Sequence, residues 1–194
     1  MTNTLSIVYA TYEGHTRIIA ERIANRIRDK LRNNSNWKID VVNCNAIKEI
    51  NKDTKAVILG SPIYFSKLNS SLVQFARRNA NTLNNAQIRA MFVNGGSLAP
   101  SAADQKIVDN MINNFVNETG YNNQFAGGFG GAYHYSTMIW WKKFALSFAM
   151  GSVKSIFEKA KLEPPTNMNK DYDYTDWNAV QQWADEVVDR LPKK

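Results

Sequence analysis

The chain has 194 residues, 44% hydrophobic and 21% charged, a composition that supports one globular core and excludes a disordered chain. A single cysteine, Cys44, excludes an intrachain disulfide, and no run of about 18 apolar residues offers a membrane-spanning helix. The formal net charge of +7 admits an anionic membrane surface or an acidic partner, but the basic residues are scattered apart from pairs such as Arg77-Arg78, Lys142-Lys143 and Lys193-Lys194, which argues against nucleic acid.

Met1-Thr2-Asn3-Thr4 leads straight into an apolar stretch without a basic region before it. No secretory signal is therefore expected, and the expectation is a cytoplasmic protein, at most peripheral at the inner face of the cell membrane. The apolar run 5–10 predicts a first strand. A helix is expected from His15 to Leu31, with Ile18, Ile19, Ile23, Ile27 and Leu31 near helical spacing. A second strand covers 38–43. The third, Lys55–Gly60, is apolar on both faces, as a central parallel strand should be. Pro62 is expected to end its ladder and turn the chain.

A second helix spans about 69–82 with Leu72, Phe75 and Ala76 inward, and a fourth strand covers 88–94. A third helix covers 102–119, with Ile107, Val108, Met111, Ile112 and Phe115 inward, and a fifth strand follows at 124–130. A long insert occupies about 131–172. The last helix runs from Thr175 to about Leu191, with Thr175 read as its N-cap and Trp177, Val180, Trp183, Ala184, Val187 and Val188 buried. Alternating strands and helices predict a single α/β domain over 1–194, a doubly wound five-stranded parallel sheet. Ligands of such sheets sit outside the carboxyl ends of the strands, at the switch point.

Three loops fall at that edge. The first, Thr11-Tyr12-Glu13-Gly14-His15-Thr16, is a strand-to-helix turn with hydroxyls, a central glycine and the positive end of a helix dipole. It reads as a phosphate cradle. No Gly-Lys-Ser/Thr follows and no Gly-x-Gly-x-x-Gly is present, so neither a P-loop nor a dinucleotide fingerprint applies. A loop without lysine suits a phosphate held permanently rather than transferred. Helix capping by Thr11 and Thr16 is the plainer alternative, and His15 reads as a surface or capping residue. The other two loops are Ser61-Pro62-Ile63-Tyr64-Phe65 and Asn94-Gly95-Gly96-Ser97-Leu98. Tyr64 suits either stacking on a ligand or the core, and Gly95-Gly96 either a ligand loop or a simple turn.

Thr11-x-x-Gly14-x-Thr16 after the first strand resembles the phosphate loop of the flavodoxin family. The resemblance covers the whole chain. It implies a sheet of order 2-1-3-4-5 with bound FMN, held by residues 11–16, 61–65 and 94–98, and no catalytic residue beyond the flavin and no metal. The insert holds Tyr135 and the apolar run around Trp140, Trp141, Lys142 and Lys143. It is too short and too charged to span a bilayer. A buried core helix, a substrate groove and a helix lying on a membrane surface all remain open. With Gly130-Gly131-Ala132-x-x-Tyr135 before it and Tyr174-Thr175-Asp176-Trp177 after it, the insert is similar to that of the flavodoxin-like protoporphyrinogen dehydrogenases. Those enzymes of heme biosynthesis use FMN to oxidise protoporphyrinogen IX and pass the electrons to a quinone. The resemblance implies such a substrate near Tyr135, Trp140, Trp141, Lys142 and Lys143, contact with a membrane surface, and leaves a homo-oligomer open. A one-electron flavodoxin carrier and an FMN-dependent quinone or small-molecule reductase are the alternatives.

Overall fold

A computed structural model describes residues 2–32, 36–64, 67–95, 102–136, 138, 140, 157 and 162–192. The chain runs through β1 (Asn3–Tyr9), α1 (His15–Leu31), β2 (Trp37–Asn43), β3 (Ala56–Tyr64), β4 (Lys67–Leu68), α2 (Ser70–Asn84), β5 (Ile88–Gly95), α3 (Ala102–Thr119), β6 (Phe125–Gly130), β7 (Ala132–Tyr133), β8 (Tyr172–Asp173) and α4 (Trp177–Arg190). The long strands pair in parallel in the order β2-β1-β3-β5-β6. Counted among themselves these five follow the expected 2-1-3-4-5; the short β4 only shifts the labels.

The central strands are apolar throughout because both faces are covered. Alternate residues feed two cores. Leu5, Ile7, Ile58, Ala90 and Phe92 pack with Ile19, Ile23 and Ile27 of α1 and Val180, Trp183 and Val187 of α4. Val8, Val57, Leu59, Met91 and Val93 pack with Leu72, Phe75 and Leu83 of α2 and Val108, Ile112 and Phe115 of α3. Ile18, expected inward, is instead exposed, because it lies on the opposite face of α1 from the Ile19-Ile23-Ile27 stripe. Ile107's side chain lies outside the described residues.

Two local expectations are corrected. Pro62 does not end β3: it pairs with Asn94 of β5, and β3 continues to Tyr64, pairing antiparallel with β4 over its last two residues. β1 pairs with β3 only as far as Gly60, so Pro62 lies where the strand has an edge on that side and a missing N–H is tolerated. Thr175 is not the cap of the last helix. Asp176 is: its carboxylate accepts from the N–H groups of Asn178 and Ala179.

The base of the insert is a two-stranded antiparallel ribbon, β7 against β8. Four tyrosines dress it. Tyr133 stacks on Tyr135 and Tyr172 on Tyr174, with edge contacts between the two pairs. The Tyr135 hydroxyl donates to the Pro165 carbonyl and that of Tyr174 to the Glu163 carbonyl, so the cluster fastens the returning segment to the ribbon. Burial pushes the Tyr133 and Tyr135 hydroxyls up to about 12, and both rings stay neutral across the physiological range.

Candidate functional site

The carboxyl ends of β1, β3 and β5 converge. Ala10 N–H donates to the Gly60 carbonyl, Pro62 lies level with Asn94, and the Tyr12 and Tyr64 rings meet at 5.5 Å between centroids. Both rings are exposed. The first and second loops thus present an aromatic pair at the sheet edge. Glu13 lies exposed beside Tyr12.

The first loop is built around Gly14, whose φ of 93° is the left-handed conformation that glycine adopts freely. Its N–H donates to Thr11 Oγ1 at 2.8 Å. Thr11 therefore closes the turn as an acceptor, which leaves its own hydroxyl hydrogen free to donate. Gly14 is the N-cap of α1 and supplies no side-chain cap. The N–H groups of the first helical turn precede any intrahelical acceptor, so His15, Thr16 and Arg17 present uncapped donors at the positive end of a 17-residue helix.

Two side chains at this end carry buried atoms without a hydrogen-bond partner among the described residues: Thr16 Oγ1 and His15 Nδ1. Thr16 is 1% exposed and His15 7%. An open helix end with an orphaned hydroxyl on its second residue lacks an acceptor, and a phosphate is a group of that shape and charge. The cradle reading of the sequence fits these residues, with Thr16 as a donor and Thr11 as scaffold.

His15 corrects the expectation of a surface residue. Its ring turns under the loop, where Nε2 lies 2.7 Å from Thr175 Oγ1. The Thr175 hydroxyl donates its own hydrogen to the Gly130 carbonyl at 3.2 Å. With that hydrogen on Gly130 the hydroxyl accepts from His15, the arrangement in which the neutral ring is the Nε2–H tautomer and Nδ1 is a bare acceptor. Asp173 Oδ1 stands 3.8 Å from Nε2, and the His134 and Trp177 rings lie 5.7 and 6.0 Å away. Burial pulls the His15 pKa below its usual value, with Asp173 opposing the shift and His134 adding to it. The sequence offered no signal for this contact, since Thr175 and His15 are 160 residues apart.

In the second loop the buried Ser61 Oγ accepts from Asn69 N–H at 3.0 Å and donates to the Pro62 carbonyl at 3.1 Å, so it joins the end of β3 to the start of α2. Ile63 packs against Gly95 so closely that a Cβ on Gly95 would stand 3.1 Å from Ile63 Cβ. Asn94 is buried and its Oδ1 has no partner among the described residues, a third orphaned polar atom at this sheet edge. Phe65, Gly96, Ser97, Leu98, Trp141, Lys142 and Lys143 lie outside the described residues.

Of the residues expected at a substrate, Trp140 is exposed. Tyr135 is fully buried, and its hydroxyl donates to the Pro165 carbonyl within the packing of the ribbon. No group of three or more His, Cys, Asp or Glu suited to a metal occurs among the described residues. No helix among them is long and apolar enough to cross a membrane.

A parallel sheet of this order, with helices packed on both faces, is the flavodoxin-like α/β fold. The chain belongs to the flavodoxin domain family, whose model matches residues 6–159. Over 188 residues it is 23% identical to a protoporphyrinogen IX dehydrogenase (quinone) of Leishmania major, covering 94% of this chain and 73% of that one. It is likewise 23% identical over 183 residues to the protoporphyrinogen IX dehydrogenase (quinone) of Escherichia coli strain K12, covering 94% and 93%. Among solved structures, oxidised flavodoxin 2 from Bacillus cereus superposes with a TM-score of 0.51 at 14% identity, covering 97% of this chain and 99% of that one, a likeness of fold.

Proposed function

We propose that this chain is an FMN-dependent oxidoreductase that dehydrogenates protoporphyrinogen IX or a closely similar reduced porphyrin and passes the electrons to a quinone. The observation that carries the cofactor is the uncapped N-terminus of α1 with the orphaned Thr16 Oγ1 beside it. Family membership and the names of the two relatives support the flavin and the porphyrinogen respectively.

In this reading the N–H groups of His15, Thr16 and Arg17 and the Thr16 hydroxyl hold the FMN phosphate. Thr11 keeps the turn closed through Gly14 N–H. Tyr12 and Tyr64 cover the ring system, and the Asn94 carboxamide offers it a polar contact. When bound, FMN supplies hydride acceptance from the substrate and delivery of electrons to the acceptor. The chain's own residues bind and orient, so no acid–base pair is required of them. Lys142 and Lys143 meet the propionates of the substrate, and the exposed Trp140 with these lysines lies at a membrane surface where a quinone is reached.

The test begins with the purified protein. It should be yellow and release FMN on heating. Under anaerobic conditions protoporphyrinogen IX should bleach the bound flavin, and a quinone should restore its colour. Bleaching by a reduced carrier protein but not by the porphyrinogen would make the chain a one-electron carrier instead. Reduction by a nicotinamide nucleotide alone would make it a quinone reductase. The double substitution Lys142→Ala, Lys143→Ala should raise the porphyrinogen KM and leave FMN affinity unchanged.

A further inference from the structure

His15 is a buried imidazole that the proposed function leaves without a task beyond its backbone. It sits on the first residue of the helix whose N–H groups form the cradle. Its Nε2–H is committed to Thr175 Oγ1, and its Nδ1 is a buried acceptor without a partner among the described residues. An anion entering the cradle brings oxygens that accept hydrogen bonds and cannot donate them to a bare ring nitrogen. A dianionic phosphate held on the first turn of the helix that carries this buried ring makes the protonated ring the better neighbour.

We infer that His15 is the charge partner of the bound phosphate: the flavin's phosphate enters as the dianion, and His15 Nδ1 takes up one proton from solvent, returned when the flavin leaves. This rests on the reading of the 11–16 turn as the FMN phosphate cradle. It also accounts for a phosphate loop without lysine. A neutral imidazole is inexpensive to bury in the flavin-free fold, whereas a permanent cation would not be.

The groups facing the ring set the balance. Asp173 of β8 lies 3.8 Å from Nε2 and favours the charged form. His134, at 5.7 Å after β7, opposes it and is itself 3.8 Å from Asp171. Trp177 of α4 is neutral and carries Arg22 over its ring at 5.2 Å. Thr175 accepts from Nε2 in both protonation states. In the flavin-free protein these surroundings keep the ring neutral near neutral pH; the phosphate tips it.

The chain has two histidines, so their imidazole NMR resonances can be titrated in the full-length wild-type protein with and without FMN. His15→Gln assigns the pair by removing one signal, and His134→Gln serves if that variant does not fold. The expected result is that FMN raises the His15 pKa by one unit or more, which is a tenfold or greater tightening of FMN by protonation, since each unit is a factor of ten. In parallel, the ratio of the wild-type FMN Kd to that of His15→Gln should rise as pH is raised between about 6 and 8. Riboflavin, which lacks the phosphate, should leave both histidine pKa values where they were. A His15 pKa unchanged by bound FMN overturns the inference and leaves the cradle standing. FMN that fails to bind, or binds no tighter than riboflavin, overturns the cradle and this inference together.

Discussion

Replacing Thr16 by valine keeps the shape of the side chain and deletes one oxygen. In the folded chain that oxygen is buried and has no partner among the described residues, while in the unfolded chain water solvates it. The hydroxyl therefore opposes folding of the flavin-free protein, and Thr16→Val is expected to stabilise it by about 1–2 kcal/mol, the lower part of the range for a buried unsatisfied group. For a chain of this size that corresponds to a rise in Tm of roughly 2–8 °C. With FMN the sign reverses. A hydroxyl donating to a charged phosphate oxygen contributes about 1.5–3 kcal/mol, so the variant should bind FMN roughly 10- to 100-fold more weakly. Thermal unfolding of flavin-free protein reads the first effect, and quenching of FMN fluorescence on titration reads the second. A variant that is less stable than wild type and binds FMN as before would make Thr16 an ordinary core hydroxyl and refute its place in the cradle.

Three further outcomes are expected. A Cβ at Gly14 would meet no atom within 4 Å, so Gly14→Ala should cost about 1–2 kcal/mol through the φ of 93° alone, read by thermal unfolding, with Gly14→Asn recovering part of it. A Cβ at Gly130 would collide with the Tyr174 carbonyl, so Gly130→Ala should displace the β7–β8 ribbon, cost about 1–3 kcal/mol and weaken the near-UV circular dichroism of the stacked tyrosines. Asp185 joins α1 to α4 through two 2.7 Å bonds from Arg26, which hold its carboxyl below the usual range with help from Lys30. A depressed carboxyl stabilises the fold above its unfolded pKa and loses that contribution as pH falls through the folded one. Asp185→Asn should therefore cost on the order of 1 kcal/mol or less at neutral pH and make acid unfolding below about pH 4 shallower, as followed by far-UV circular dichroism against pH.

The sheet and its helices were legible because each signal is local and repeated. The Ile19-Ile23-Ile27 stripe and the unbroken apolar run 56–59 each name one element and the face it buries. That the loops after the first, third and fourth long strands share one sheet edge followed from where those strands end. What escaped depended on neighbours far along the chain. Pro62 could continue a strand because β1 ends at Tyr9, opposite Gly60, which no property of residues 60–65 reveals. Thr175 looked like a helix cap by its place before α4; its hydroxyl went instead to Gly130 and His15, and Asp176 took the cap. The tyrosines of 133–135 and 172–174 gave no sign in sequence of belonging together, because only the antiparallel pairing of β7 with β8 makes them one cluster.

That pairing also changes how the two ends of the proposed reaction relate. The cofactor's phosphate is assigned to the first turn of α1 and the substrate to the segment between β7 and β8. Seen in sequence they are more than a hundred residues apart. In the fold they share a wall: His15 of the cradle leans on Thr175, Thr175 on Gly130 at the start of the ribbon, and His134 with Asp173 close the space between. A small displacement of the ribbon withdraws the acceptor of His15 Nε2–H and alters the setting of the imidazole beneath the phosphate. On the proposed reading, flavin affinity is therefore tied to the position of the ribbon by a buried contact, and thermodynamic reciprocity then requires that flavin binding stabilise the ribbon by the same amount.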